Sequence, residues 1–306
     1  MKKIVVIGSL NMDVVIETQH MPERGETISG TSVNLVPGGK GANQAYAAGK
    51  LGGNVTMIGA VGKDAAGDAL LENLKSVGVD VSGICQMKED TTGQAFITVD
   101  DNGDNSIIII AGTNGKITKE LIDENAHIIK ESDIVIMQLE IPLDIVEYVK
   151  EMALREGKTV IVDPAPAVRD IPEHFWKGID YIKPNETELA ILTGVRPKTR
   201  EELVKAARMM IKKGVKNVIV TLGGDGCMFV TENTEELFTS YKVKAVDTTA
   251  AGDSFTAAFA FALSQGKSYK EAITLGQKVS SIAVTRKGAQ TSIPTMEEVE
   301  MENKRI

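Results

Sequence analysis

The segment DTTAAGDSFTAAFAFAL, residues 247–263, places the carboxylate of Asp253 between a run of small residues and a long apolar run. The apolar run is typical of a buried helix that begins near Gly252. The first N–H groups of a helix have no partners within the helix and carry a partial positive charge. Because small side chains let an anion approach those amides, Ala250, Ala251 and Gly252 predict an anion hole.

Two roles are open for Asp253 on this evidence. A carboxylate beside an anion hole can take a proton from an attacking hydroxyl group, and such general-base catalysis contributes roughly 10²–10⁴-fold to a rate. Loss of one donor from such a hole costs about 10²–10³-fold. A carboxylate in the first turn can also simply cap its helix. The segment alone favours neither role, so the rest of the chain has to decide.

Glycines mark a second candidate site in VPGGKGANQAYAAGKLGG, residues 36–53. A flexible turn leads into an alanine-rich helix, and Lys40 and Asn43 lie at the helix start, where they suit a polyhydroxylated ligand. The segment fits neither a P-loop nor a dinucleotide fingerprint, because Gly41 follows the lysine and Gln44 replaces a required glycine. A solvated glycine turn is the competing interpretation.

Polar side chains also follow two predicted strands. Asn11 and Asp13 come after KIVVIG (3–8) and are two residues apart, so both point to the same side of an extended chain. Glu140 follows the apolar run DIVIMQL (133–139). Paired acceptors of this kind suit the vicinal hydroxyls of a sugar, and ligands of open α/β sheets collect at the carboxyl ends of strands.

Two further motifs are compatible with nucleotide contacts. In PNETE, residues 184–188, Asn185 and Glu188 are three apart and share a face if a helix starts here, so they could hold Mg²⁺ or its waters. A helix N-cap with acidic first-turn residues is the locally stronger alternative. TLGGDG, residues 221–226, follows a strand with glycines that either allow close approach of a nucleotide or form a plain tight turn.

Short β-branched runs alternate with helical patterns along most of the chain. Runs such as TVIVDPAP (159–166) and NVIVTLG (217–223) have apolar residues at both odd and even positions, which is typical of strands that are covered on both faces. TREELVKAARMMIKKG carries one apolar helical stripe between a predicted capping box that starts at Thr199 and a stop at Gly214. Strands that alternate with helices predict a parallel sheet with helices on both faces.

Two segments break this alternation. Residues 13–39 and 92–112 carry short strand patterns with turns, and they predict a small antiparallel sheet that covers the carboxyl edge of the main sheet as a lid. Residues 1–12, 40–91 and 113–306 then form the α/β core. An exposed apolar face or an unpaired edge of the lid would favour a homodimer.

Composition argues against several classes of function. The chain has 306 residues, 42% of them hydrophobic and 25% charged, and a formal net charge of −8, which is typical of a soluble globular protein with a substantial core. Its dispersed lysines and arginines predict no nucleic-acid partner. Its few, scattered cysteines and histidines do not suggest a zinc site, and free thiols favour the cytoplasm. No run approaches the ~18 apolar residues of a membrane span, so we expect no membrane partner.

The motifs GGKGANQA, PNETE, TLGGDG, DTTAAGDSF and AVTRKGAQ occur in the order and spacing of the ribokinase family, the phosphofructokinase-B carbohydrate kinases. From Lys3 to Ile293 the chain resembles this family, and GSLNMD and MQLE are similar to its ribose-phosphorylating members. The resemblance implies a three-layer α/β/α domain with a mainly parallel sheet and a small antiparallel β lid. It also implies phosphoryl transfer from ATP to the 5-hydroxyl of D-ribose, with Mg²⁺ and K⁺.

The resemblance implies a role for each matching residue. Asp253 resembles the general base, and Ala250, Ala251 and Gly252 resemble the anion hole for the transferred phosphoryl group. The positions that match the sugar site are Asn11, Asp13, Gly39, Lys40, Asn43, Glu140 and Asp253. The positions on the nucleotide side are Asn185, Thr221, Gly223, Gly224, Asp225, Gly226, Gly252 and Gln277. The positions that match the loops for a monovalent cation are Asp247, Thr249, Ala283, Arg286, Gly288 and Ser292. Asn185 and Glu188 match the element near Mg²⁺.

Two positions depart from the common pattern of the family: Gln277, at the adenine contact, and Thr291, in the cation loop. Other substrates of the family, such as fructose, a keto-deoxy sugar acid or adenosine, are alternatives to ribose. A sugar-binding regulator without catalysis is a further alternative, although Asp253 and the glycine of the anion hole argue against it. A dinucleotide-dependent oxidoreductase is disfavoured because the glycine fingerprint is absent.

Overall fold

The computed structural model describes residues 1–302 of the chain. Its strands are β1 (Lys3–Ile7), β2 (Asn11–Glu17), β3 (Ser32–Gly38), β4 (Asn54–Gly62), β5 (Asp80–Met87), β6 (Gly93–Val99), β7 (Asn105–Ile110), β8 (Ile134–Gln138), β9 (Thr159–Asp163), β10 (Tyr181–Ile182), β11 (Asn217–Thr221), β12 (Cys227–Val230) and β13 (Glu235–Phe238). Its helices are α1 (Lys40–Lys50), α2 (Ala65–Lys75), α3 (Lys119–Glu124), α4 (Ala126–Glu131), α5 (Leu143–Arg155), α6 (Glu186–Thr193), α7 (Arg200–Lys212), α8 (Ala251–Ser264), α9 (Tyr269–Ala283) and α10 (Met296–Glu302).

The main sheet has nine strands in the order β13-β12-β11-β10-β9-β8-β1-β4-β5. Every pairing from β5 across to β11 is parallel, and only β12 and β13 run antiparallel to their neighbours. Helices cover both faces. Val5 and Ile7 of β1 belong to one hydrophobic cluster with residues of α5 and α7, whereas Ile4 and Val6 belong to a second cluster with residues of α1 and α8. The predicted three-layer α/β/α architecture is therefore confirmed.

Several strands end earlier than their apolar runs. β9 ends at Asp163, because Pro164 follows and has no N–H group to continue the ladder. β11 ends at Thr221, and the chain then turns through Gly223, whose φ is +55°. Hydrophobic periodicity locates a strand well but not its last residue.

The second sheet has four strands in the order β3-β2-β6-β7. The pairs β2–β3 and β6–β7 are antiparallel, as predicted, but the two pairs join through a parallel pairing of β2 with β6 in which Asn11 lies opposite Gly93. The sheet also begins at Asn11 rather than at residue 13. Local turn signals reveal hairpin-like pairs, but they do not reveal which distant strands join.

Helices α1 and α8 pack closely because both contribute alanines to their contact region. Ala45 and Ala48 of α1 and Ala257 and Ala260 of α8 are fully buried. Small side chains let the two helix axes approach, which brings the N-terminus of α1 towards that of α8. Within residues 1–302, no helix is both long and apolar enough to cross a membrane.

Candidate active site

Asp253 lies in the first turn of α8, as predicted, and is 6% exposed. Ala250 is the N-cap and has a left-handed conformation with φ 57°. The N–H of Ala251 already donates to Thr248 O at 3.2 Å. Of the three residues predicted to form the anion hole, Ala251 therefore has its amide engaged within the protein, and the adjacent Gly252 is better placed to offer an N–H to a ligand.

Two amide side chains hold the Asp253 carboxylate, one on each oxygen. Asn43 Nδ2 donates to Oδ2 at 2.9 Å, and Gln44 Nε2 donates to Oδ1 at 3.0 Å. Each amide is itself oriented by a further amide. Gln290 Nε2 donates to Asn43 Oδ1 at 3.0 Å, and Gln138 Nε2 donates to Gln44 Oε1 at 2.6 Å. The carboxylate is thus oriented by a buried network rather than by capping its own helix.

The predicted sugar-side residues come together near this carboxylate. Asn11 and Asp13 belong to β2, so they lie at the start of the small sheet and not at the carboxyl end of β1. Because they are two residues apart, both side chains are on the same face of β2. Asn11 Oδ1 accepts a hydrogen bond from Asn114 Nδ2 at 2.8 Å. Glu140 Oε2 accepts from Ser9 Oγ at 2.5 Å and from the backbone N of Lys40 at 3.0 Å. Ser9 and Asn114 had not been predicted.

Gly39, the N-cap of α1, has a φ of +87°. A Cβ atom at this position would lie 2.7 Å from the backbone N of Asn11, which is closer than real Cβ contacts allow. Glycine is required here because the turn into α1 passes directly against the start of β2. The structure supports a shaping role for Gly39 at the predicted sugar site.

The charges of these side chains perturb one another. Burial, together with Glu140 and Asp253, raises the pKa of Asp13 from 3.8 to about 7. Burial lowers the pKa of Lys40, but the surrounding carboxylates, Asp253 first among them, outweigh burial and raise the pKa above its usual 10.5. Groups of this kind, perturbed by burial and by specific partners, are typical of functional sites.

A cavity of about 530 Å³ lies on the other side of the α8 N-terminus. Its lining includes all of the predicted nucleotide-side residues, namely Asn185, Thr221, Gly223, Gly224, Asp225, Gly226, Gly252 and Gln277. Gln277 Nε2 donates to Phe238 O at 2.9 Å, so its amide is partly engaged by the protein. Residues 240–243 and Ala245 also contribute to the lining and had not been predicted, because they belong to an irregular segment without a motif.

Asn185 and Glu188 form a capping box at the start of α6. Asn185 Oδ1 accepts from the N of Glu188 at 2.7 Å, and Glu188 Oε2 accepts from the N of Asn185 at 2.8 Å. The capping interpretation of PNETE is therefore confirmed in the structure. Burial and the nearby Asp163 raise the pKa of Glu188, which places this carboxylate close to the other charges of the site.

The two segments predicted to hold a monovalent cation are tied together by Asp247. Its Oδ1 accepts from the N of Thr249 and its Oδ2 from the N of Gly288, both at 2.9 Å. Burial raises the pKa of Asp247, but these hydrogen bonds outweigh burial and lower it from 3.8. The guanidinium of Arg286 pairs with Glu298 at 2.9 Å, and Ser292 Oγ donates to Ala289 O.

Comparison with known proteins identifies the family. The profile of the pfkB family carbohydrate kinases matches residues 1–296. The chain belongs to the pfkB family of carbohydrate kinases.

Among pfkB-family relatives, a ribokinase from Haemophilus influenzae is 39% identical over 97% of each chain. A deoxyribokinase from Salmonella typhi is 37% identical over 96% of each chain. The structure of Arabidopsis thaliana ribokinase complexed with ribose and ATP has a TM-score of 0.92 and 36% identity, and the match covers 98% of each chain. These likenesses extend over nearly the whole fold.

Some residues of this pfkB-family site had escaped prediction. Gln44 adjoins Asn43 in a motif already noted, and Asp163 ends β9 as an acid at the carboxyl end of a strand. The rule that drew attention to Glu140 would have found Asp163. Lys183 follows β10 without a distinctive signal, and only the fold places its Nζ 3.2 Å from Asp163 Oδ2.

Proposed function

We propose that this protein transfers the γ-phosphoryl group of ATP to the 5-hydroxyl of D-ribose, giving ADP and D-ribose 5-phosphate. The observation that carries the proposal is the position of Asp253. Its carboxylate is held by Asn43 and Gln44 on the sugar side, and the adjacent Gly252 lines the nucleotide cavity. The relatives that are ribokinases, and the Arabidopsis complex with ribose and ATP, support the same reaction.

The chemistry follows from this placement. Asp253 takes the proton of the 5-hydroxyl as the sugar oxygen attacks the γ-phosphorus, and the bond from that phosphorus to the β-phosphate oxygen breaks. Gly252 offers its N–H to the oxygens of the transferred group, at the positive end of α8. The hydroxyls of ribose would bind Asn11, Asp13, Asn43 and Glu140.

The sugar is the part of the proposal that the relatives leave open, because one of them is a deoxyribokinase. Initial rates with ATP should be measured for ribose, 2-deoxyribose, fructose, a keto-deoxy sugar acid and adenosine. We expect the highest kcat/KM for ribose. A higher kcat/KM for 2-deoxyribose or for any other sugar would replace ribose as the substrate. Sugar binding without any release of ADP would indicate a regulator rather than a kinase.

The Asp253→Asn variant tests the general base. Because asparagine has nearly the shape of aspartate but cannot take the proton, we expect kcat to fall at least ~10²-fold in a variant that still binds ribose. Asp68→Asn is the matched control, since Asp68 is an exposed first-turn acid of α2. Near-wild-type turnover by Asp253→Asn would refute the assignment.

We propose that Mg²⁺ acts with ATP near Asn185 and Glu188. Each side chain gives one oxygen to the capping box, and Glu188 has a second carboxylate oxygen, so the hard-oxygen chemistry that Mg²⁺ prefers is present. When bound, the ion would neutralise phosphate charge. Loss of ATP turnover on removal of Mg²⁺, with sugar binding intact, would support this assignment.

We further propose that K⁺ binds the loops that Asp247 joins. The ion would be held mainly through backbone carbonyls at Thr249, Ala283, Arg286, Gly288 and Ser292, since the Arg286 side chain is engaged by Glu298. The expected result is that turnover is stimulated more by K⁺ than by Na⁺. Turnover that does not respond to either ion would exclude this role for the loops.

The small sheet is proposed to act as a lid and to join two copies of the chain. One face of the sheet carries the exposed Leu35, Phe96 and Ile108, and the other face carries Asp13 together with the exposed Ile107 and Ile109. Cys85 and Cys227 are both unpaired thiols, which supports action in a reducing compartment such as the cytoplasm.

A further inference from the structure

Lys183 is a buried lysine at the centre of the site. It follows β10, directly before the segment that caps α6, and is 5% exposed. Its Nζ lies 3.2 Å from Asp163 Oδ2. A buried ammonium is costly unless it is paired, and the Asp163 carboxylate supplies the pairing charge.

The ammonium of Lys183 faces the N-terminus of α8. A Cβ atom on Gly252 would lie 3.1 Å from Lys183 Nζ, so the lysine approaches the backbone at this glycine closely. Gly252 lines the nucleotide cavity and immediately precedes Asp253. The positive charge therefore lies close to the residue that lines the nucleotide cavity and adjoins the proposed general base.

Asp163, the partner of Lys183 in this ion pair, also accepts hydrogen bonds from other side chains. Its Oδ2 also accepts from Gln44 Nε2 at 3.0 Å and from Thr256 Oγ1 at 3.3 Å. Among residues 1–302, Oδ1 of this carboxylate is buried without a hydrogen-bond donor. Gln44 thus links Asp163 to Asp253, and the two carboxylates and the ammonium form one connected unit.

An ammonium has three N–H donors, and Asp163 is the one salt-bridge partner of Lys183 among the described residues. Donors remain for a ligand at the α8 N-terminus. An anion at this point would meet the helix dipole, the Gly252 amide and the lysine charge together. Phosphoryl transfer depends mainly on such positioning and neutralisation of charge.

We propose that Lys183 binds the phosphoryl group during its transfer and that Asp163 is the positioning residue that holds the lysine. This inference rests on the proposed kinase function. As the sugar oxygen bonds to the γ-phosphorus and ADP departs, the hydroxyl proton goes to Asp253. Lys183 keeps its proton, and its charge stabilises the negative charge on the phosphoryl oxygens.

The alternative is that Lys183 only neutralises a buried aspartate. A double variant, Asp163→Asn with Lys183→Met, separates the two ideas, because it removes both charges together and leaves neither of them buried without its partner. The single variant Lys183→Met would strand the Asp163 charge and can fail to fold. Thermal melting should show that the double variant folds.

With the double variant, we expect kcat for ribose to fall about 10²–10³-fold. By isothermal titration calorimetry, we expect weaker binding of a non-hydrolysable ATP analogue, with AMP and ribose binding as in the wild type. Wild-type kcat in the double variant would overturn the proposal. So would an equal loss of affinity for AMP and for the ATP analogue, since that result would indicate general damage to the nucleotide cavity.

Lys150→Met is the matched control. Lys150 is another buried lysine, and its Nζ donates to Phe175 O at 3.0 Å, so its partner is not one of the proposed site residues. We expect this variant to lose stability but to keep the wild-type kcat and ATP-analogue affinity. If the wild-type protein phosphorylated no sugar, the proposed function would fail, whereas the calorimetric comparison would still show whether Lys183 binds the terminal phosphate.

Discussion

At the scale of single residues, the site is an assembly of buried charges and amides with fixed orientations. Asn43 and Gln44 present N–H groups to Asp253 because Gln290 and Gln138 occupy or orient the other ends of their amides. A carboxylate that is held on both oxygens has little freedom to turn away from its substrate. Such preorganisation reduces the reorganisation needed during proton transfer.

Asp13 should make sugar binding depend on pH. Its pKa is raised to about 7 by burial, Glu140 and Asp253, so it is protonated below that pH and a carboxylate above it. Since only the carboxylate can accept hydrogen bonds from sugar hydroxyls with both oxygens, KM for ribose should fall as the pH rises through about 7. Initial rates across this range measure the effect.

The Asp13→Asn variant is the control for that titration. It should bind ribose more weakly and lose the pH dependence of KM, and a KM profile that still changed near pH 7 would assign the titration to another group.

The stability of the folded protein gives an independent check of the Asp13 titration. Because the folded pKa exceeds the unfolded value of 3.8, ionisation of Asp13 destabilises the folded state as the pH rises from about 4 to about 7. Asp13→Asn should therefore raise the melting temperature more at alkaline than at acidic pH.

At the scale of elements, the site is built where helices and strands begin or end. α8 supplies the proposed base and anion hole, α1 supplies the amides that orient the base, and β2 supplies two sugar-side residues. The N-termini of α8 and α1 and the first residues of β2 meet because α1 packs against α8 through alanines, while Gly39 lets the chain turn from β3 into α1.

Replacement of Gly39 by alanine tests this junction. Gly39 and Gly52 both have a positive φ, +87° and +89°, so alanine at either position should cost roughly 1–3 kcal/mol of backbone strain. A Cβ at Gly39 also meets Asn11 N at 2.7 Å, whereas a Cβ at Gly52 meets nothing within 4 Å. Gly39→Ala should thus lower the free energy of unfolding by about 1–3 kcal/mol more than Gly52→Ala.

Denaturant titration of the two variants gives this difference directly, and their KM values for ribose show whether Asn11 has moved. Equal losses of stability would mean that the chain relaxes around the added methyl group. In that case the close approach of Gly39 to β2 would not be what requires glycine.

At the scale of the whole molecule, the small sheet leaves an apolar surface exposed. Leu35, Val14, Phe96 and Ile108 lie in register across β3, β2, β6 and β7 and so share one face. Leu35 is 67% exposed and Ile108 is 63% exposed. The opposite face carries Asp13, which belongs to the proposed sugar site. An exposed apolar row of this kind suits an interface with a second copy.

Analytical ultracentrifugation tests the proposed dimer. We expect the wild-type protein to be a dimer and Ile108→Lys to shift it towards monomer, because a lysine on this face would have to be desolvated in the interface. Val168→Lys is the control, since Val168 is 48% exposed but lies outside the small sheet. A monomeric wild-type protein, or a dimer that Ile108→Lys does not weaken, would contradict the lid interface.

The sequence by itself determined the elements and the groups that are close along the chain. The alternation of apolar strands and helices predicts the main sheet, because the side-chain periods of strand and helix are properties of the local backbone. The adjacency of Asp253 to small residues predicts its place in the first turn of α8. The capping box of Asn185 and Glu188 is local as well, and the structure contains it.

Only the tertiary structure decided which distant groups meet. The pairing of β2 with β6, the bonds of Gln44 to Asp163 and Asp253, and the ion pair of Lys183 with Asp163 each join segments far apart in the chain. Their partners follow from how helices pack on the sheet and how strands are ordered. No local period records that information, so these contacts could not be derived from the spacing of residues.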